Sequence, residues 1–336
     1  MKETQVLLDH GSGGRATHEL VTRFFAPLLS NPFLDAMNDS AVMDFLGDRL
    51  AFTTDSYVVD PVIFPGGNIG SLAVHGTVND LAMSGARPMV LTAGFILEEG
   101  LDLSLLETIV RSMAEAAREA GVTVVAGDTK VVPKGKGDKI FITTAGVGIV
   151  PPGVSLGGQN ARPGDAVLIN GTIGDHGTAI LCSREGLSME GVIQSDSAPL
   201  HTLVAAILTA CAHVHVLRDP TRGGVATTLN EIASQSRVGI RLFEEALPIR
   251  EDVAGACEIL GLDPLYMANE GKVLVVLPQE EAGKALDAMR RHPLGRHAAL
   301  IGEVMADHPG RVTLRTRIGG HRIVDMLRGE PLPRIC

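Results

Sequence analysis

The sequence predicts two successive units, each of α/β or α+β class, followed by a short tail. Three observations carry that prediction. Apolar, β-rich runs alternate with stretches whose apolar residues recur every three or four positions. One stretch, 151–164, is rich in Gly and Pro with few large apolar side chains, and reads as a boundary. The 336 residues also exceed the usual reach of one hydrophobic core. The units are placed at 1–155 and 156–328, and residues 329–336 form an extended tail with little to anchor it.

In the first unit, Thr4 to Asp9 leads into His10-Gly-Ser-Gly-Gly-Arg15, and a helix follows from Ala16 to Leu29, ending before Pro32. Leu50 to Val59 is a strand. Asn68 caps a helix over Ile69, Leu72, Ala73, Thr77, Asp80 and Leu81, closed by Gly85. Arg87 to Leu97 is the next strand. Ser104 and Glu107 make a capping box for a helix whose stripe is Leu105, Leu106, Ile109, Met113, Ala116 and Ala117. Val122 to Ala126 is a short strand that ends at Gly127-Asp-Thr-Lys130. Lys134 to Lys139 is a solvated hairpin or a lid, and Ile140 to Val150 is a strand.

The second unit opens with strand Ala166 to Asn170, then helices near Thr178 to Arg184 and Leu200 to Cys211, and strand His213 to Leu217. A helix begins after Asp219-Pro-Thr-Arg-Gly-Gly224 and runs to about Ser234. Helix Val253 to Leu260, turn Ala268 to Lys272, strand Val273 to Leu277, helix Glu280 to Arg291, strand Ala299 to Val304 and a Gly319-Gly320 hairpin complete it.

Composition removes several classes. Hydrophobic residues at 45% exclude disorder, and a formal charge of -10 disfavours a nucleic-acid surface. No apolar run approaches a membrane span and Met1 to Gly13 has no signal pattern, so a cytoplasmic location is expected. Four Cys without a CxxC pair are no disulfide framework. P-loop and Rossmann fingerprints are missing. Gly153-Val-Ser-Leu-Gly157 matches GxSxG but follows Pro151-Pro152 rather than a strand, against a nucleophile elbow. His213 and His215 share a strand face without a third ligand, which favours a structural role.

Four acids stand at the ends or junctions of apolar elements: Asp55, Asp80, Asp128 and Asp219. Such oxygens suit Mg²⁺ bound to phosphates, and they equally suit caps and turns. Lys130 is placed to meet a phosphate, and Arg222-Gly223-Gly224 joins a guanidinium to amides at a helix start. Glu270, between Asn269 and Gly271, is an ordinary turn residue or a positioned base. Cys182, Cys211 and Cys257 read as small core residues. Cys336, the last residue, is a carrier thiol or an inert end.

Taken together, His10-Gly-Ser-Gly-Gly, Thr54-Asp-Ser-Tyr57, Phe64 to Gly70, Asn79-Asp80, Gly127-Asp-Thr-Lys-Val131, Gly174-Asp-His-Gly177, Asp219 to Gly224, Asn269-Glu-Gly-Lys272 and the ending Pro331-Leu-Pro-Arg-Ile-Cys336 resemble the HypE family of hydrogenase maturation factors. The resemblance spans essentially the whole chain. That family shares its superfamily with aminoimidazole ribonucleotide synthetase, selenophosphate synthetase and thiamine monophosphate kinase. It implies an N-terminal domain whose strands pair with a second subunit's in a barrel-like homodimer core, and an α+β C-terminal domain over a cleft that binds ATP.

The resemblance also implies roles. Mg²⁺ falls to Asp39, Asp55, Asp80 and Asp219, with Asn38 standing where relatives often show a first Asp. Asn68, Asp55, Asp80, Asp128, Lys130, Arg222 and Gly223 are expected on the nucleotide. The implied activity is ATP-dependent carbamoyl dehydration: HypF loads a carbamoyl group on Cys336, ATP activates its oxygen, and Glu270, with His10 as alternative, removes a proton to leave a thiocyanate. The cyanide then passes to a HypC–HypD complex. Competing expectations are an ATP-using synthetase or kinase of the selenophosphate or thiamine monophosphate type, and a non-catalytic ATP-responsive adaptor. The absence of any Cys before Cys182 argues against the selenophosphate type.

Overall fold

Alternation along the strands decides which face of each sheet is covered, and two sheets result. The computed structural model describes residues 14–20, 22, 37–38, 41–45, 48–187, 193–329 and 332–336. His10 and Asp39 therefore lie outside the described residues, as does most of the first expected helix, of which Arg15–Leu20 (α1) is described.

The first sheet is built from β1 (Ala41–Phe45), β2 (Asp48–Tyr57), β5 (Arg87–Glu98), β6 (Thr123–Val132) and β7 (Ile140–Val150); β3 (Ile63–Phe64) and β4 (Gly67–Asn68) pair apart from it. Helices α2 (Ile69–Met83) and α3 (Leu103–Glu119) join β4 to β5 and β5 to β6. The order is β1-β2-β7-β5-β6, antiparallel except between β5 and β6. On β2, Ala51, Thr53, Asp55 and Tyr57 share one face by the two-residue period. That face is the one α2 covers: Thr53 Oγ1 donates to Asp80 Oδ2 at 2.8 Å, and Tyr57 meets Thr77.

Asn68 is the N-cap of α2 as expected, its Oδ1 accepting from Gly70 N–H at 2.8 Å and Ser71 N–H at 3.3 Å. The α3 cap differs. Asp102, not Ser104, is the N-cap, accepting from Ser104 N–H at 2.8 Å, while Glu107 pairs with Arg111 one turn on. Strand β6 also runs further than its short apolar core suggests, through Gly127-Asp-Thr-Lys130 to Val132, because the parallel ladder with β5 continues. Lys134 to Lys139 is no hairpin, since β5 lies between β6 and β7.

The second sheet follows after residues 151–164. Its elements are β8 (Asp165–Ile169), α4 (Asp175–Glu185), α5 (His201–Ala210), β9 (Val216–Arg218), α6 (Gly224–Ser236), β10 (Gly239–Phe243), α7 (Glu251–Leu260), β11 (Leu274–Pro278), α8 (Ala282–Arg291), β12 (Ala299–Met305), β13 (Arg311–Arg315) and β14 (His321–Val324). The order is β14-β13-β10-β12-β8-β11-β9, with β10 and β13 parallel. Both faces of its centre are covered. Val167 and Ile169 pack toward α6 residues such as Leu229, whereas Ala166 and Leu168 pack toward α5 and α8 through Leu203 and Met289. That double burial explains the unbroken apolar run Val273 to Leu277. A third cluster joins the two sheets, with Val59, Phe64 and Ile69 against Ile180, Val253 and the tail residues Leu332 and Ile335.

Candidate active site

The end of β2, the end of α2, the start of α6 and the turn before β11 converge between the sheets. They bring Asp55, Asp80, Asp219, Arg222 and Glu270 within electrostatic reach of one another. Asp80 is oriented by Thr53, and its neighbour Asn79 ties α2 to the Glu270 turn. Asn79 Nδ2 donates to Glu270 O and Ala198 O, both at 3.1 Å, and its Oδ1 accepts from Leu200 N–H at 2.7 Å. Gly223 (φ +76) and Gly224 (φ +62) both take the left-handed conformation that starts α6. A Cβ on Gly224 would stand 2.5 Å from Leu265 O.

Glu270 is 3% exposed and its Oε1 has no hydrogen-bond partner. Burial pushes its pKa well above the usual carboxylate value, and the charges of Asp55, Asp219 and Asp196 push the same way, against Arg222. The backbone of this turn is fixed by an ion pair that sequence reasoning missed. Asp196 accepts from Glu270 N–H at 3.1 Å and from Lys272 Nζ at 2.7 Å. Lys272 and Asp196 side chains are 9% and 5% exposed, so this pair is buried. Despite the cost of burial, Lys272 holds the Asp196 carboxyl below its ordinary value. A lysine opening an apolar strand was the available signal; Asp196 itself lies in a loop that gave none.

The tail enters this cleft. Instead of lying free, Ile335 is 3% exposed and Leu332 6% exposed, and Cys336 packs against the same cluster. Cys336 O accepts from Val58 N–H at 2.9 Å and Arg334 O from Asp60 N–H at 3.2 Å, just beyond β2. Arg222 stands among anions. Charge at Cys336 is the largest cause of its raised pKa, followed after a burial penalty by Asp55, Glu270 and Asp80. The terminal residue, the buried acid and two of the three aspartates thus act on one guanidinium. The Lys134 to Lys139 loop meets the tail through Asp138 against Arg334, and Lys139 Nζ donates at 3.0 Å to Asp60, beside which the tail lies.

Other expected residues lie elsewhere. Asp128 and Lys130 are exposed and pair with each other at 2.7 Å. Asp55, Thr144, Ala93 and Gly127 are successive cross-strand partners, so they share a face, and Asp128 and Lys130 occupy the reverse face, about three strand spacings (~14 Å) away. One chain does not bring them to Glu270. Asn68 is engaged as a cap. His213 pairs with Glu281 at 3.2 Å and His215 with Asp165 at 2.7 Å, both structural contacts. Cys182, Cys211 and Cys257 are buried. Among the described residues, no three His, Cys, Asp or Glu side chains gather tightly enough to hold a metal alone, and no helix is long and apolar enough to cross a membrane.

Comparison with known proteins agrees with the two-sheet architecture. Residues 37–150 match the AIR synthase related protein, N-terminal domain, and residues 162–315 match its C-terminal domain. The chain belongs to the AIR synthase related family. It is 58% identical to the carbamoyl dehydratase HypE of Azotobacter vinelandii, over 100% of this chain and 98% of that protein. A solved hydrogenase maturation protein HypE in complex with ATP aligns at 54% identity and a TM-score of 0.84, over 99% of this chain and 100% of the other. The HypE chain of a HypE–HypF complex aligns at 51% identity and a TM-score of 0.88, over 92% and 99%. Within its superfamily, the chain is a member of the HypE family.

Proposed function

We propose that this chain is an ATP-dependent carbamoyl dehydratase acting in hydrogenase maturation, with its own Cys336 as the carrier of the reacting group. The observation that carries the reading is the insertion of the terminal residue beside Arg222, in a cleft that also holds Glu270. An adaptor that merely offers a tail has no use for a buried carboxyl of raised pKa acting on the same guanidinium as the tail's last residue.

The chemistry follows from the group carried. A carbamoyl group on Cys336, R–S–C(=O)–NH₂, loses water only if its oxygen becomes a leaving group. Transfer of the γ-phosphoryl group of ATP to that oxygen supplies one. One N–H proton passes to water as the phosphorylated imidate forms with release of ADP, and Glu270 takes the second as phosphate departs. The products are R–S–C≡N, ADP and phosphate. A carboxyl of raised pKa is suited to that proton at neutral pH, because its basicity lies nearer the working pH. Arg222 faces the charge that develops on the departing phosphate.

Asp55, Asp80 and Asp219 fit Mg²⁺ by donor chemistry, as hard oxygens around one cleft, and Mg²⁺ commonly takes one or two carboxylates with the remainder from phosphates and water. Asp39 would join them. The bound ion would neutralise phosphoryl charge. Gly223, with its amide at the start of α6, and Arg222 are the nucleotide contacts this arrangement favours, and Asn68 shapes the neighbouring α2 start. The ATP complex of the 54%-identical relative supports nucleotide binding here.

A homodimer is part of the reading. Among the described residues, strand β6 is an edge of its sheet with Val124, Val125 and Val131 exposed, and Phe52 and Ile96 are exposed on the same sheet. Such an edge calls for a cover. Closing it against a second copy would offer Asp128 and Lys130 to the partner's cleft, which their own chain denies them. The HypE–HypF complex of a relative supports HypF as the source of the carbamoyl group. HypC–HypD is the acceptor in this reading, in the cytoplasm, and the units 1–155 and 156–328 flank the cleft, with 329–336 as the carrier.

Mass spectrometry of the C-terminal peptide tests it. Carbamoylated chain should lose the mass of one water on addition of ATP and Mg²⁺, and Glu270→Ala should slow that loss at least about a hundredfold, the lower range for removing a general base. A tail of unchanged mass overturns the assignment.

A further inference from the structure

The last four residues are held by their main chain, the carbonyl oxygens of Pro333, Arg334 and Ile335 and the terminal carboxylate of Cys336 each meeting a donor. Arg184, on α4, donates from Nη1 to Pro333 O at 2.7 Å and from Nη2 to Arg334 O at 3.0 Å. Its Nε and Nη2 also reach Asp60 O, at 3.0 and 2.5 Å, which locks the guanidinium across the loop beside the tail. Cys336 O and Arg334 O take the amides of Val58 and Asp60, and Arg334 Nε donates to Val58 O at 2.8 Å. The tail thus runs antiparallel to residues 58–60.

His176 serves the remaining carbonyl. Its Nε2 lies 2.8 Å from Ile335 O and its Nδ1 2.7 Å from Ser195 Oγ. A carbonyl only accepts, so Nε2 carries the proton and Nδ1 accepts from the serine hydroxyl. Ser195 Oγ in turn accepts from Ser197 N–H at 3.1 Å, which sets the direction of the chain of bonds. The imidazole is 0% exposed, and Phe64 packs edge-on against it with ring centroids 5.6 Å apart. A ring so confined holds one tautomer and one orientation, and it acts one residue before the thiol.

We propose that His176 is the positioning residue for the carrier thiol: by fixing the Ile335 carbonyl it aims Cys336 into the cleft, with Arg184 anchoring the two residues behind. The proposal rests on the reading of Cys336 as the reacting group, but the docking it describes is measurable without the reaction. Recognition through carbonyls also suits a tail that must leave and return. Each such bond is worth about 1 kcal/mol net, so docking is specific and reversible.

Two measurements on the full chain decide it. In the first, Cys336 is labelled with iodoacetamide and the C-terminal peptide is followed by mass spectrometry, the other three cysteines being buried. His176→Phe is expected to raise the labelling rate about tenfold, the effect of one lost buried hydrogen bond. His176→Gln keeps a terminal N–H donor and should restore slow labelling to within about twofold. Equal rates for His176→Phe and the parent overturn the proposal. In the second, carbamoylated His176→Phe should lose water about tenfold more slowly at saturating ATP, with the half-saturating ATP concentration unchanged. An unchanged rate overturns it as well. If the parent itself loses no water, the proposed reaction fails and the labelling comparison alone decides the docking. Should His176→Phe not fold, Arg184→Met, which removes the donors to Pro333 and Arg334, is expected to speed labelling in its place.

Discussion

At Glu270, loss of water and three neighbouring acids act in one direction. The carboxyl keeps its proton to a higher pH in the fold than in the unfolded chain. Its contribution to stability is therefore complete below the ordinary carboxylate pKa and is lost as pH rises through the raised value. Glu270→Gln preserves shape and removes that titration. It is expected to melt with the parent at pH 4, above the parent at pH 8, and to abolish water loss from the carbamoylated tail. A stability gain that appears on the acid side would refute the raised pKa. The turnover of the parent should rise with pH as Glu270 loses its proton. An acid set between Asn269 and Gly271 was readable as a candidate base, although its burial was not. Nothing local marks Asp196 or Arg184, because what selects them is a partner more than seventy residues away in sequence.

The turn of residues 268–272 is held from outside by the loop that carries Asp196. Ion pairing at Lys272 is one tie and contact at Gly271 is another, for a Cβ there would stand 1.9 Å from Asp196 O. Gly271→Ala should force the two segments apart, cost about 1–3 kcal/mol in denaturant unfolding as overpacking does, and slow water loss beyond what the stability change explains. Unchanged stability would show that the loop gives way freely. Elements with strong local signals were legible: β7 spans the expected Ile140–Val150, and Asn68 caps α2. Two were read short or misplaced for identifiable reasons. The β6 ladder extends through a polar Gly-Asp-Thr-Lys segment because β5 supplies parallel partners, and α3 starts at the nearer Asp102 rather than at Ser104. Strand β10 left no local signal because its parallel partner lies about seventy residues away, whereas the Gly319-Gly320 hairpin does join β13 to β14. The tail gives no local signal for the same reason, since its anchors lie in the segment after β2 and on α4 and not in its own sequence.

Across the whole molecule, the face on which Lys130 stands decides how many chains make one site. Cross-strand register puts Asp128 and Lys130 opposite the cleft of their own chain, so a catalytic Lys130 must be given to another copy. Complementation distinguishes the two arrangements. Lys130→Ala chains lack the lysine but keep Glu270, and Glu270→Gln chains lack the base but keep the lysine. Each is expected to be inactive alone. In a mixed dimer with exchange in trans, one cleft combines Glu270 of the first chain with Lys130 of the second, and the other cleft lacks both. Random mixing of equal amounts makes half the dimers mixed, so about a quarter of parental activity should return. A site built within one chain returns none, because every cleft then lacks one group whatever its partner. Activity recovered in proportion to the mixed dimer would tie the open β6 edge, the exposed lysine and the carrier tail to a single two-chain enzyme.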